Sequence, residues 1–72
     1  MSNLSDRLRE LRKSKGITQK ALAHAIGMST SGIQNYELKT RIPNVEVLIK
    51  LADYFDVSVD YLIGRSDNPA RL

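Results

Sequence analysis

The sequence predicts an all-α domain, a compact bundle of five short helices over residues 1–64 with a flexible C-terminal tail over 65–72. Three observations predict it. Apolar residues recur three and four apart through most of the chain, and nothing alternates with period two for long enough to make a sheet. Helix-starting side chains stand directly ahead of five apolar runs, at Asn3, Thr18, Ser29, Asn44 and Ser58. Between the runs stand residues that stop helices, chiefly glycine and proline. A chain of 72 residues without cysteine has no disulfide or thiolate metal site to draw on. A domain of this size buries only roughly 60% of its unfolded surface, so stability has to come from efficient packing.

The first helix carries Leu4, Leu8 and Leu11 on one face, with charged residues between them. Asn3 is its cap, Asp6 sets a carboxylate in the first turn, and Lys13 and Lys15 set cations near its end at Gly16, all favourable to the helix dipole. The second helix opens at Thr18 and holds Ala21, Leu22, Ala23, Ala25 and Ile26. Gly27 then supplies the positive φ that a sharp turn requires. Ser29 caps the third helix, expected over about residues 30–37, with Ile33 and Tyr36 on its inner side.

Residues 39–43 form a loop, because Ile42 precedes Pro43 and is biased away from helix. Asn44 opens the fourth helix, where Val45, Leu48, Leu51, Ala52 and Phe55 keep a helical stripe and Asp56 closes it. Ser58 caps a short fifth helix that ends at Gly64. The expected core is Leu8, Leu11, Ile17, Leu22, Ile26, Ile33, Leu48, Ala52, Phe55, Val57, Leu62 and Ile63. Val47, Ile49, Tyr54, Val59 and Tyr61 exceed what one face needs, and are either shallow core or a patch for a partner subunit.

The net charge is +3, unevenly spread. Arg7, Arg9, Arg12, Lys13, Lys15 and Lys20 against Asp6 and Glu10 leave the first twenty residues at +4. Lys50, Arg65 and Arg71 against Glu46, Asp53, Asp56, Asp60 and Asp67 leave residues 45–72 at −2. That asymmetry suggests one face for a polyanion and another turned away. No apolar run approaches the roughly 18 residues of a membrane span and the first residues are polar, so the expectation is a cytoplasmic protein without a membrane partner. His24 is a lone histidine with no second ligand at metal spacing, and reads as a solvated or partly packed imidazole. Without an acid/base pair or a phosphate-cradling glycine loop, the chain is not expected to be an enzyme. No cofactor, metal or small-molecule ligand is expected.

Gln19, Ala23, Gly27 and Ile33 stand at intervals of four, four and six. A small residue at 23 lets two helices cross closely, glycine at 27 turns the chain, and Ile33 wedges the third helix against the second. With the caps at Thr18 and Ser29, this spacing describes two helices held at a fixed angle around a tight turn. On a helix capped at Ser29, residues 30, 31, 34 and 35 share one face and Ile33 and Tyr36 turn away. That face carries hydroxyls and amides, side chains that can bond base edges in the DNA major groove.

The segments LRELRKSKGITQ, LAHAIGMSTSGIQNYE and IPNVEVLIKLADYFDVSVDYLIG resemble the Cro and phage-repressor-type helix-turn-helix family, over about Leu4 to Gly64. The resemblance implies a lambda-repressor-like five-helix bundle that binds double-stranded operator DNA as a sequence-specific transcriptional repressor, usually as a homodimer. Carried over position by position, Gln19 contacts phosphate and buttresses the reading helix. Thr30, Ser31, Gln34 and Asn35 face bases or flanking phosphates, and Lys39, Thr40 and Arg41 form a loop that meets the DNA backbone. Arg12 and Glu37 match the family's structural ion pair. Leu38 and Lys39 depart from the Asn-Gly often found there, Asp56 stands where glycine is common, and Gly32 costs the reading helix ~1 kcal/mol against alanine. The alternative from another class is a protein–protein interaction module, such as an antitoxin or anti-repressor partner. Such a module would have little use for hydroxyl and amide side chains on the third helix.

Overall fold

The computed structural model describes residues 3–71, so residues 1, 2 and 72 of the ranges expected above lie outside it. Five helices run in order: α1 (Leu4–Ser14), α2 (Gln19–Ile26), α3 (Thr30–Glu37), α4 (Val45–Phe55) and α5 (Val59–Leu62). There is no strand among the described residues. Each helix begins as the sequence dictates. The side chains of Asn3, Thr18, Ser29, Asn44 and Ser58 accept from the amides of Asp6, Ala21, Gly32, Val47 and Tyr61 respectively. Each such bond satisfies an amide that would otherwise lack a partner inside the helix.

All five helices also end alike. Gly16, Gly27, Lys39, Asp56 and Gly64 have φ of 67°, 74°, 66°, 56° and 85°. In each case the following amide bonds a carbonyl five residues back: Ile17 to Arg12, Met28 to Ala23, Thr40 to Asn35, Val57 to Ala52 and Arg65 to Asp60. This closure satisfies carbonyls that the helix leaves open, and the need is strong enough to hold Lys39 and Asp56 in a conformation that glycine adopts more readily.

Helices α2 and α3 pack on each other, α1 lies against α3 and α5, and α4 lies against α5 and α2. Each helix contributes one fully buried aliphatic: Leu8, Leu22, Ile33, Leu51 and Leu62. Each is worth roughly 1.5–3 kcal/mol of burial. Leu51 was absent from the expected core. Leu11, Ile17, Leu48 and Ile63, expected inside, are only half-buried. Helix α4 is apolar on more than one face, and the position of α2 and α5 decides which face goes inward.

Residues 65–71 lie back against the bundle. Ser58 N donates to the Pro69 carbonyl at 3.0 Å, and Arg71 is ion-paired with Asp53 and Asp56. The buried Arg7 guanidinium donates to the carbonyls of Tyr61 (2.8 Å) and Ser66 (3.1 Å) and to Asp67 (2.7 Å), and stacks 3.9 Å from the centre of the Tyr61 ring. These bonds satisfy a charge that burial alone would penalise. They also tie the segment after α5 to the first helix.

Candidate nucleic-acid interface

The outward face of α3 is polar and its inward face is closed. Thr30, Ser31 and Gln34 are exposed, Asn35 is half-exposed, and Ile33, Tyr36 and Glu37 are buried. The two-sidedness follows from the helical period, which turns residues 30, 31 and 34 opposite to 33 and 36. The first amides of a helix have no intrahelical acceptors, so the N-terminus of α3 also presents free N–H groups beside these side chains. Gly32 sits against Met28: a Cβ there would come within 2.7 Å of the Met28 methyl and 3.4 Å of Ser29 Oγ. The methyl is the far end of a flexible side chain and can move aside, so packing within the turn does not by itself require glycine at this position.

The far end of α3 is held by four side chains from two helices, α1 and α2. Glu37, its last residue, is 4% exposed and receives Arg12 Nε at 2.7 Å and Arg12 Nη2 at 3.1 Å, a two-pronged ion pair from α1. Gln19 Nε2, from the first turn of α2, donates to Glu37 Oε1 at 3.2 Å. Arg9 Nη2 donates to the Glu37 carbonyl at 2.9 Å, and Ser5 Oγ donates to the Tyr36 carbonyl at 2.7 Å. Its hydrogen bond to Glu37 raises the Arg12 pKa above its ordinary value, desolvation working against the shift and the Glu37 charge adding to it. A raised basic pKa stabilises the fold below the ordinary value and loses that effect only as pH climbs through the raised one. The Arg12 side of the pair therefore stays intact at all but strongly alkaline pH.

The loop after α3 carries Lys39, Thr40 and Arg41 on the surface. The chain leaves α3 through Leu38 and turns at Lys39, which takes the left-handed conformation. Thr40 N and Arg41 N both reach the Asn35 carbonyl, at 3.0 and 3.3 Å. The Thr40 hydroxyl lies 3.1 Å from the same carbonyl and 3.2 Å from Asn35 Oδ1. Of the expected residues, Thr30, Ser31, Gln34 and Asn35 thus lie together on α3, and Thr40 joins them through Asn35. Gln19 is half-buried and its amide is turned to Glu37.

Charge is redistributed relative to the sequence count. Three of the six early cations are tied up internally, Arg7 with Asp67 and both Arg9 and Arg12 with Glu37. Lys13, Lys15 and Lys20 are exposed and join no ion pair among the described residues. The positive character of the N-terminal half is therefore smaller than its composition suggests.

Sequence reasoning missed the burial of Arg7. The signal was present, since position 7 lies between Leu4 and Leu11 on the buried stripe, but arginine is usually exposed and its partners lie 54 to 60 residues away. Of the two readings of the apolar surplus, shallow core holds for most of it. Val47, Tyr54, Val59 and Tyr61 pack against the core, and of that group Ile49 alone is counted as exposed. Among the described residues, the exposed large aliphatics are Leu38, Ile42, Val45 and Ile49, with Ile42 at 88%.

Known proteins share this arrangement. A family profile described as helix-turn-helix matches residues 8–62. The uncharacterized HTH-type transcriptional regulator YobD of Bacillus subtilis is 43% identical over 63 residues, covering 88% of this chain and 56% of that protein. The HTH-type transcriptional regulator ImmR of the same organism is 37% identical over 65 residues, covering 90% of this chain and 51% of that one. The chain thus spans about half the length of these curated relatives. Among solved structures, the P22 c2 repressor in complex with a synthetic operator superposes with a TM-score of 0.85 at 32% identity, covering 92% of this chain and 100% of that one.

Proposed function

The chain belongs to the Cro and phage-repressor type of the helix-turn-helix family, and on that premise we propose that it is a sequence-specific DNA-binding repressor of transcription. The observation that carries this reading is the outward face of α3, where Thr30, Ser31, Gln34 and Asn35 stand on a helix whose other side and far end are fixed by Ile33 and Glu37. Helix α3 enters the major groove. The four side chains supply hydroxyls and amides to base edges, while Gln19, Lys39 and Arg41 meet phosphates on either side and set register rather than sequence. No arginine stands on α3, so guanine is not read from it by a guanidinium fork. Work of this kind needs no catalysis and no cofactor, and its setting is the cytoplasm.

A single copy offers few contacts, so the protein acts as a homodimer on half-sites roughly 34 Å apart. The surface that meets the second copy is the exposed aliphatic set Leu38, Ile42 and Val45, next to the phosphate loop. A stable interface buries about 800 Å² on each partner. Three side chains on a chain with 4638 Å² of total surface fall well short of that. The dimer therefore forms on DNA, where paired half-sites hold two copies together. The interaction-module reading rests on the same aliphatic set, but leaves the polar face of α3 without a role.

Purified protein titrated onto random duplex by fluorescence anisotropy tests this reading. Counting Lys39 and Arg41, the two cations placed against phosphates, the slope of log affinity against log salt should be roughly −2 per protomer. Binding without salt dependence, or no binding, would remove the proposal.

A further inference from the structure

Thr40 stands in the loop expected to meet phosphates, yet its hydroxyl points at a reading residue. The left-handed turn at Lys39 brings Thr40 N onto the Asn35 carbonyl at 3.0 Å, which fixes the Thr40 backbone relative to the last turn of α3. From there the hydroxyl donates a three-centre bond to the Asn35 carbonyl at 3.1 Å and to Asn35 Oδ1 at 3.2 Å. A hydroxyl can accept as well as donate, and here it donates to Oδ1, so the oxygen is the end of the amide turned to the loop. With Oδ1 turned back to the loop, the NH2 end is the one left to the groove.

We propose that Thr40 is a positioning residue that sets the base preference of Asn35, holding its amide as a one-ended donor. The inference deepens the DNA-reading proposal and rests on it. A free asparagine pairs with adenine at two points, accepting from N6 through its oxygen and donating to N7 through its nitrogen. That pairing needs both ends of the amide directed into the groove in one plane. With its oxygen turned to Thr40 and away from the groove, the amide presents N–H to the bases, which suits acceptor-bearing edges: O6 and N7 of guanine or O4 of thymine. The bond persists at the DNA surface because exclusion of water strengthens a hydrogen bond already formed. The Lys39 turn is thereby linked to specificity through Thr40.

The test is in vitro selection of bound duplexes by the wild type, Asn35→Ala, Thr40→Val and Thr40→Ser. Asn35→Ala identifies the base pair concerned, as the position that loses its preference. At that position the wild type should favour guanine or thymine. Thr40→Val removes the hydroxyl but keeps the main-chain bond and the branched shape, and should raise adenine there by about tenfold, the order a two-point amide–adenine pair contributes. Thr40→Ser should retain the wild-type preference. A wild type that already favours adenine at the Asn35 position overturns the inference. So does a Thr40→Val profile that matches the wild type, including one in which all sequences weaken alike as a phosphate contact would predict. A wild type that enriches no sequence would instead remove the DNA-reading proposal, and this inference with it.

Discussion

Removing Arg12 should destabilise the protein more than removing Arg12 and Glu37 together. The Glu37 side chain is 4% exposed and that of Arg12 is 15% exposed, joined by bonds of 2.7 and 3.1 Å. In Arg12→Met the carboxylate stays buried, left with the Gln19 amide at 3.2 Å and Arg9 Nε at 3.8 Å. Breaking a buried pair from one side costs about 3–5 kcal/mol, and the residual partners place this case near the low end. A domain this small has only roughly 5 kcal/mol of stability. In Arg12→Met/Glu37→Met no charge is stranded, because the half-exposed Arg9 can turn to water. The double variant should lose only about 1 kcal/mol, as expected when a hydrophobic pair of similar volume replaces ions. Urea titration followed by helical circular dichroism reads both. With a slope of about 1 kcal/mol per M, the midpoint should fall by about 3 M in the single variant and about 1 M in the double. A single variant no less stable than the double would refute the reasoning, since it would mean that Glu37 does not need its partner.

Three further outcomes are expected. Lys39→Gly should relieve a left-handed lysine and raise stability by about 0.5–1 kcal/mol, net of the extra freedom of glycine in the unfolded chain. Thermal melting would register this as a rise of a few degrees, whereas a fall would mean that the side chain itself holds the turn. Truncation after Gly64 removes the Ser66 and Asp67 partners of Arg7 and should cost about 1–3 kcal/mol. An unchanged midpoint would make residues 65–72 a dispensable tail. Arg41→Ala should weaken binding to all sequences alike and flatten the salt slope by about 0.9, while Gln34→Ala should relax preference at one or two base pairs. Anisotropy titrations across salt and sequence would separate the two, and exchanged patterns would overturn the roles.

What was legible in the sequence was local. Five caps could be placed to the residue because each is a side chain bonding an amide three positions on, within its own turn. The reading face followed from helical period alone, once Ser29 fixed the start of α3. The less legible features depend on segments far apart in the chain. Leu51 and Leu48 are equivalent by pattern, and only packing around α4 separates the buried one from the half-buried one. Arg7 is buried because Tyr61, Ser66 and Asp67 arrive from the other end of the chain. Lys39 turns left-handed because the carbonyls of α3 need closing, a demand no lysine announces. The bond from Thr40 to Asn35 follows from that turn, so it too could not be read from residue types.

The central claim is that α3 reads sequence and that two copies read together. In vitro selection with the wild-type protein measures both at once. The account predicts enrichment of a two-fold symmetric site, its half-sites about 10–10.5 base pairs apart. Recovery of random duplex, with binding set by salt alone, would contradict it.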